Sequence, residues 1–124
     1  MIKYSFRILQ LTNDIDNVLI DFDNDQYDIL STFIESDVLC FQEIIFKAFF
    51  EALSLNKKSE LSLNSCHVVI QEDKTLLESL IDEQNGCEVA TKELFQIINN
   101  YLEYCKQRKN MQWHSIDVQF ISNN

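Results

Sequence analysis

Proline and glycine are almost missing from this sequence, which contains no Pro and a single Gly, Gly86. Tight turns and phosphate-binding loops depend on these residues, so the composition argues against an all-β protein and against a glycine-rich nucleotide site. Long apolar runs are missing too. The longest stretches have about four residues, as in 38–41, whereas a membrane-spanning helix needs about 20. We therefore expect no membrane association.

Clustered metal ligands and paired cysteines are also missing. The four cysteines stand far apart, at Cys40, Cys66, Cys87 and Cys105, and none forms a C-x-x-C pair. The first residues alternate like a strand and show no apolar core of a secretory signal. This pattern favours reduced thiols in a cytoplasmic protein. The one adjacent Cys-His pair, Cys66-His67, falls in a predicted strand, where neighbours face opposite sides, so we expect no zinc site and no cofactor.

Cations are scarce, and they are missing altogether between Arg7 and Lys47. The chain has 10 basic and 20 acidic residues, a net charge of −10 and a pI of about 4.4. Such a chain repels nucleic acids and anionic membranes and attracts basic proteins. The acids between Arg7 and Lys47 are either a solvated surface that maintains solubility or a docking patch for a basic partner.

What is present predicts one α+β domain over residues 1–124, with a two-layer arrangement. An apolar fraction of 46% suffices for a single core. Alternating apolar residues predict a hairpin over 2–22, with a bulge or strand end near Leu9 and Leu11. Further strands are expected at 66–71, 87–90 and 116–120. About four or five strands would form one antiparallel or mixed sheet with helices on one face.

Helical spacing predicts a short helix over 25–34 and a strong helix from Ser36 or Asp37, as its cap, to Leu55. The second is apolar around most of its circumference, which predicts burial on several sides, in the core or at a subunit contact. The leucine pattern over 75–82 favours another short helix, although Asn85-Gly86 is also a hairpin signal. A last helix is predicted from Thr91, as its cap, to Lys109.

The sequence contains no complete catalytic or metal-binding pattern. The run starting at Asp21 resembles a calcium loop, but Gln26 stands where the turn needs Gly and Thr32 where a bidentate Glu is needed. No nucleophile lies in a glycine-flanked turn, and the acidic field is hostile to anionic substrates. We expect no catalytic residue and no metal ligand.

Partner binding is therefore the predicted role, and the acid-rich hairpin end is its predicted location. Trp and Tyr are enriched in binding hot spots. Trp113 is interpreted either as a contact residue or as a cover over the core, and Tyr27 as an exposed anchor among aspartates. The predicted partner-binding residues are Asp14, Asp16, Asp21, Asp23, Asp25, Tyr27, Asp28 and Trp113.

The acid-rich region from Asp14 to Asp37 and the segment Gln112 to Asp117 carry a resemblance. In size, charge and these two segments the chain resembles immunity proteins of bacterial contact-dependent growth inhibition systems. The resemblance implies a cytoplasmic inhibitor that binds and occludes a basic toxin domain, of the nuclease type. A nuclease cleft is cationic because it holds phosphates, so aspartates on a rigid hairpin suit it.

Two other functions stay open at this stage. One is a secretion chaperone, a class that also contains small acidic cytoplasmic proteins; it requires a dimer with an apolar groove, which the helix over 41–50 would furnish. The other is a nucleic-acid mimic, which requires carboxylates spaced like phosphates over an extended face. We expect a monomer in preference to a dimer, and no direct contact with nucleic acid.

Overall fold

The computed structural model describes residues 1–12, 15–82, 84–109 and 118–122, with side chains at 1–9, 17–82 and 84–107. The strands are β1 Lys3–Thr12, β2 Ile15–Phe22, β3 Ser59–Ser62, β4 Cys66–Ile70, β5 Lys74–Ser79, β6 Gly86–Ala90 and β7 Val118–Ser122. The α-helices are α1 Asp28–Thr32, α2 Gln42–Leu55 and α3 Thr91–Lys109. A 3-10 turn at Asp25–Tyr27 precedes α1, and a π-helical turn at Phe33–Val38 follows it. The predicted α+β class is confirmed.

The strands divide between two antiparallel sheets. Sheet A has the order β2-β1-β7, and sheet B has the order β3-β4-β5-β6. The predicted strands at 66–71, 87–90 and 116–120 correspond to β4, β6 and β7, with Ile116 outside the described residues. Helices cover the inner face of sheet B, where Cys66, Val68 and Leu77 are buried. Its other face is only partly exposed, with Val69 and Leu76 half-buried.

The first hairpin forms as the alternation predicts. Tyr4, Phe6 and Ile8 are buried on one face of β1, and Phe6 lies opposite Ile20 of β2. The register shifts between Gln10 and Thr12. The change of phase in the sequence near Leu9 and Leu11 therefore marks a real irregularity. Such a bulge puts an extra residue on one strand and increases the local twist.

One hydrophobic core serves both sheets, because α1 and α3 each contact strands of both. Helix α3 is also bonded to sheet A at three points. The Tyr101 hydroxyl donates to the Val18 carbonyl at 2.7 Å, and the Asn100 amide donates to the Tyr4 hydroxyl at 2.8 Å. Glu93 accepts from the backbone N–H of Ile2 at 3.0 Å. These bonds fix sheet A against the helix that also packs on sheet B.

Side chains from the helices seal the outer edge of β2. The backbone N–H of Ile20 donates to the Glu35 carboxylate at 2.8 Å, and the Ser31 hydroxyl donates to the Ile20 carbonyl at 2.7 Å. The Tyr101 bond to Val18 lies on the same edge. Burial raises the pKa of Glu35, an effect that the bond from Ile20 opposes. An edge strand with satisfied groups does not template pairing with another chain.

The predicted helix over 75–82 is wrong, because this segment forms β5. Thr75 and Leu77 face the core, while Leu76 lies half-buried on the outer face. Leu80 and Ile81 lie beyond the strand and are exposed. The leucine spacing fits a helix and a strand about equally well. Pairing with both β4 and β6 decides for the strand, because β5 is the central link of sheet B.

Asp37 does not cap the long helix. It lies in the π-helical turn, and α2 begins later, at Gln42. Its side chain is fully buried and accepts hydrogen bonds from the turn between β3 and β4. The donors are the backbone N–H groups of Asn64 and Ser65, both at 3.1 Å, and the Ser65 hydroxyl at 2.7 Å. Asp37 therefore ties the helical layer to sheet B.

Helix α2 is buried on one side only within this chain, so it is not the central helix of the core, whereas the alternative prediction of a subunit contact on its other side stays a prediction. Ile45, Phe49 and Ala52 are buried on one face. Ile44 is 52% exposed and Phe50 is 60% exposed. The helix packs against β4 and α3 and presents its remaining apolar residues outward. The sequence pattern measures how apolar the helix is, but not how many neighbours it has.

Helix α3 begins at Thr91 as predicted, but the Thr91 side chain serves sheet B. Its hydroxyl donates to the Gln71 carbonyl and lies 2.8 Å from the Thr75 hydroxyl, in a fully buried position. This links the start of the helix to the β4–β5 turn. Within the described part of the chain, no helix combines the length and apolar character needed to cross a membrane.

Strand β3 was not predicted. Only Leu61 is apolar within Ser59–Ser62, and half-buried residues alternate with exposed ones. Four residues with one apolar side chain carry a weak signal, and β3 forms because β4 offers it hydrogen bonds.

Gly86 starts β6 for a steric reason. A Cβ atom at this position would lie 2.7 Å from the backbone carbonyl oxygen of Leu77, closer than van der Waals contact allows. The single glycine of the chain therefore permits the close approach of β5 and β6.

Candidate partner-binding surface

The acidic segment, residues Asp21–Asp28, runs from the end of β2 through the 3-10 turn to the start of α1. Backbone hydrogen bonds fix it at both ends, from Asp23 N–H to the Lys3 carbonyl and from Tyr27 N–H to the Asn24 carbonyl, each at 3.1 Å. The Asn24 side chain accepts from the backbone N–H of Gln26 at 3.0 Å. The segment is therefore a defined structure that joins the hairpin to the helical layer.

Three of its aspartates are exposed without a counter-charge. These are Asp23, Asp25 and Asp28, and no side-chain cation that the structure describes lies within ion-pairing distance of them. All three fall within six residues of chain. Their charges add over a short distance and give this end of the hairpin a negative field.

Asp21 differs from the other three. Its carboxylate accepts two hydrogen bonds from Arg7, at 3.0 and 3.4 Å, on the face of sheet A that points away from the core. This hydrogen bond and the charge of Asp21 raise the pKa of Arg7. Both side chains are about half exposed, so the pair stabilises the fold by little. Asp21 is nevertheless locally neutralised and adds less to the field.

Tyr27 supports the acidic segment from within. It is half-buried rather than exposed, and its ring centroid lies 6.3 Å from that of Phe22. The aromatic pair holds the 3-10 turn against the end of β2. Tyr27 therefore sets the position of Asp25 and Asp28 and keeps only part of its surface available for a partner.

The other three predicted contact residues fall outside the side chains that the structure describes. Asp14 and Trp113 lie outside the described residues, as does the side chain of Asp16. The segment Gln112 to Asp117, which carried part of the family resemblance, also lies outside them. Of the eight predicted residues, the structure brings together Asp21, Asp23, Asp25, Tyr27 and Asp28.

The sequence did not predict that sheet B would adjoin this surface. Strand β6 packs against the 3-10 turn Asp25–Tyr27, and its Glu88 is exposed. The β5–β6 loop, residues 80–85, leads directly into that strand and exposes Ile81. The turn signal Asn85-Gly86 marked the hairpin, but only the pairing of β5 with β6 identifies the loop. The acidic segment, β6 and this loop therefore lie along one side of the molecule.

The described side chains also bear on metal binding and on cysteine reactivity. Among these, no three His, Cys, Asp or Glu residues are grouped as a metal site requires. Cys66 is buried, whereas the adjacent His67 lies on the outer face with its Nδ1 2.8 Å from the Ser62 hydroxyl. Burial raises the pKa of Cys66 and raises that of Cys87 to about 11. Both thiols are therefore protonated at neutral pH and are weak nucleophiles.

A shallow groove lies between α2 and α3, on a different part of the surface. It has a volume of about 380 Å³, and its apolar lining includes Leu39, Phe46 and Leu102. Glu103 and Lys106 stand at the same groove. The groove combines apolar and charged groups without a net preference for either sign of charge.

No protein-family model, curated protein or solved structure matches this chain. The residues and their geometry are therefore the basis for any functional proposal.

Proposed function

We propose that this protein is an inhibitor that binds a basic protein domain, of the nuclease-toxin type, and occludes its active cleft. The observation that supports this most directly is the group of three exposed aspartates, Asp23, Asp25 and Asp28, without a described counter-charge. They lie on a hydrogen-bonded segment, so binding orders little additional chain. An immobile anionic surface of this kind fits a cleft that otherwise holds phosphates.

The distribution of acids elsewhere strengthens the proposal. Three glutamates are each paired with a lysine, over distances of 2.9 to 3.7 Å: the largely buried Glu51 with Lys57, and the exposed Glu60 and Glu88 with Lys58 and Lys74. The other exposed acids outside a described ion pair are spread over the rest of the chain: Glu43, Glu72, Asp73, Glu78, Asp82 and Glu103. The acidic segment differs from them because it carries three such aspartates within six residues of a hydrogen-bonded turn.

The expected mechanism is electrostatic steering followed by occlusion of the partner's cleft. Complementary charge steers a partner during diffusion and raises the association rate, and salt screens this effect. A bound acidic segment then fills the cationic cleft and excludes the polyanionic substrate. Inhibition therefore requires no chemical step by this chain, only a tight complex that forms rapidly.

The test compares two variants that each lose three negative charges. In the first, Asp23, Asp25 and Asp28 become Asn; in the second, Glu43, Glu72 and Glu103 become Gln. The wild-type chain is used to capture a basic protein from lysate of its source cells, which is identified by mass and produced separately. Stopped-flow association with this purified protein is measured at about 50 and about 300 mM salt.

We expect the aspartate variant to associate about tenfold more slowly at low salt and to lose most of its salt dependence. The glutamate variant should stay within about threefold of the wild type. Equal losses in both variants would mean that only net charge matters. Failure of the wild-type chain to bind any basic protein would refute the proposed function and would leave solubility as the role of the acids.

A secretion chaperone is the second candidate, and the exposed residues of α2 favour it. Leu39, Ile44 and Phe50 are 42%, 52% and 60% exposed, and the groove between α2 and α3 is close to Leu39. This function requires an obligate dimer. A dimer by light scattering that dissociates on Phe50→Ser would support it, whereas a monomer at high concentration would exclude it.

A further inference from the structure

The β5–β6 loop presents an aliphatic side chain to solvent. Ile81 is 88% exposed, more than any other large apolar side chain that the structure describes, and its neighbour Leu80 is 48% exposed. Such exposure is unfavourable in water unless a partner covers the side chain. The pair stands at the tip of a hairpin, where a protruding residue reaches into a concave surface most easily.

Hydrogen bonds hold the backbone of this loop in place. The Ser79 hydroxyl accepts from the N–H groups of Ile81 and Asp82, at 3.2 and 3.1 Å. The Asp82 carboxylate accepts from Gln84 N–H at 3.1 Å, and the Asp82 carbonyl accepts from Asn85 N–H at 2.9 Å. The loop is also tied to the β3–β4 turn, through Leu80 N–H and the Ser65 carbonyl at 2.9 Å.

This fixed backbone has a consequence for binding. The backbone at Ile81 is held in one conformation before any partner arrives, so binding loses little backbone entropy and only the freedom of this one side chain. Fixed apolar side chains that enter a pocket are the typical centres of binding energy in an interface.

The charge around the loop selects among possible partners. Asp82 and Glu78 are exposed beside it, and no described cation forms an ion pair with either. Anionic lipid and a second copy of this chain would both be repelled at close range, because the net charge of the chain is −10. A protein surface with an apolar pocket and a basic rim is complementary to this loop.

The loop also continues the surface proposed above. It runs into β6, and β6 packs against the 3-10 turn that carries Asp25. A strand of this length spans about 17 Å, so one partner face of ordinary size covers both the loop and the acidic segment. The two regions differ in what they offer, because the segment is charged whereas the loop tip is apolar.

We propose that the β5–β6 loop is the hydrophobic anchor of this interface and that Ile81 enters an apolar pocket of the same basic partner. This inference rests on the proposed function. The acidic segment sets the association rate of the complex, and Ile81 sets its dissociation rate.

The test measures binding of the captured and separately purified basic protein to Ile81→Ser and to a matched control, Ile44→Ser. Ile44 is an exposed isoleucine of α2, away from the loop in the chain. We expect Ile81→Ser to dissociate about 10- to 100-fold faster while its association rate changes by less than about threefold. The control should dissociate within about twofold of the wild type. In the complex, the backbone amides of 80–85 should exchange with deuterium more slowly than in the free chain.

Each alternative outcome has its own meaning. Wild-type dissociation by Ile81→Ser, together with slow association of the aspartate variant, refutes the anchor and leaves the proposed function intact. Absence of any basic partner refutes both. Two further assays compare the wild-type chain with Ile81→Ser in the absence of the basic protein. One measures binding to vesicles of anionic phosphatidylglycerol, and the other measures self-association by light scattering at high concentration. Vesicle binding or self-association that Ile81→Ser abolishes would assign the loop to lipid or to a second copy, and would overturn the anchor.

Discussion

The two sheets differ in whether the outward-facing backbone groups of the edge strands β2 and β6 are hydrogen-bonded. In sheet A, the outward-facing N–H group of Ile20 in β2 donates to Glu35, and the carbonyls of Ile20 and Val18 accept from the hydroxyls of Ser31 and Tyr101. Helical residues therefore take the place of a further strand. This edge is closed to other chains, as an edge strand in a stable monomer should be.

Strand β6 of sheet B has a different edge. Hydrogen bonds from Ser79 N–H to Asn85 and from Thr91 N–H to Asp73 bracket its pairing with β5. By the alternation of an antiparallel pair, the backbone groups of Gly86, Glu88 and Ala90 point away from β5. No loop or side-chain hydrogen bond among the described residues reaches Gly86 or Glu88. The exposed Glu88 of this edge is paired with Lys74 at 3.7 Å.

The comparison separates an edge whose hydrogen-bonding groups are occupied within the chain from one at which a partner could bind. The β2 edge of sheet A is covered by helical side chains and contributes to the stability of the fold. The β6 edge of sheet B has no such cover, and the acidic segment and the β5–β6 loop adjoin it. The uncompensated aspartates beside this edge discourage self-association and favour a basic partner.

The largest effect on stability is expected from a substitution that detaches sheet B from the helical layer. Asp37→Ala leaves three donors of the β3–β4 turn without an acceptor, two of them buried. We expect a loss of about 2–4 kcal/mol in the free energy of unfolding, measured by urea denaturation. Asp37→Asn should lose less than half as much, because its amide oxygen still accepts the two N–H bonds and its NH₂ donates to the Ser65 hydroxyl.

The control for this prediction is Asp73→Ala, which removes an exposed aspartate from the β4–β5 turn. Its free energy of unfolding should stay within about 0.5 kcal/mol of the wild type. If Asp37→Ala denatures at the same urea concentration as the control, Asp37 does not hold sheet B.

A smaller change would open the closed edge of sheet A. Tyr101→Phe removes the hydroxyl that donates to Val18 while it keeps the buried ring. We expect a loss of about 1–2 kcal/mol, because the Val18 carbonyl is left without its donor. Tyr27→Phe is the matched control, since no described residue bonds its hydroxyl. Equal stability of the two variants would show that this bond does not seal the edge.

The smallest expected effect is a pH dependence at the same edge. Burial raises the pKa of Glu35 in the folded protein, so its ionisation favours the unfolded state. The stabilising contribution is complete below the unfolded-state pKa and is lost as the pH rises through the folded-state pKa. Glu35→Gln keeps an acceptor for Ile20 without a charge.

We expect the melting temperature of Glu35→Gln to exceed that of the wild type by about 1–3 °C near pH 7. The two should converge near about pH 4, where Glu35 is largely protonated. Parallel curves over this pH range would show that Glu35 does not titrate differently in the folded and unfolded states.

Much of the fold was predictable because its signals are local. Alternation marked β1, β2, β4 and β7, and helical spacing marked α2 and α3. The segment 75–82 failed because Leu76 and Leu77 are adjacent, a pattern that both structures accommodate. Strand β3 failed because it has one apolar residue. In both cases the deciding term is pairing with a neighbouring strand, which no local pattern contains.

The candidate surface was predictable in part for the same reason. The aspartates of the acidic segment were visible as a run of charge without cations. The pairing of Asp21 with Arg7 and the burial of Tyr27 against Phe22 were not, because the partners come from β1 and β2. The exposure of Ile81 was hidden as well, since an isoleucine in sequence is ordinarily expected in the core.

The sequence by itself determined the α+β class, the hairpin with its irregular register near Gln10, and the concentration of negative charge before α1. These follow from side-chain periodicity and charge, which act over a few residues. The tertiary structure alone decided which aspartates are uncompensated, that Asp37 serves a turn instead of a helix, and that Ile81 faces solvent. Those outcomes depend on contacts between residues far apart in the chain, whose energies exceed the weak local preferences.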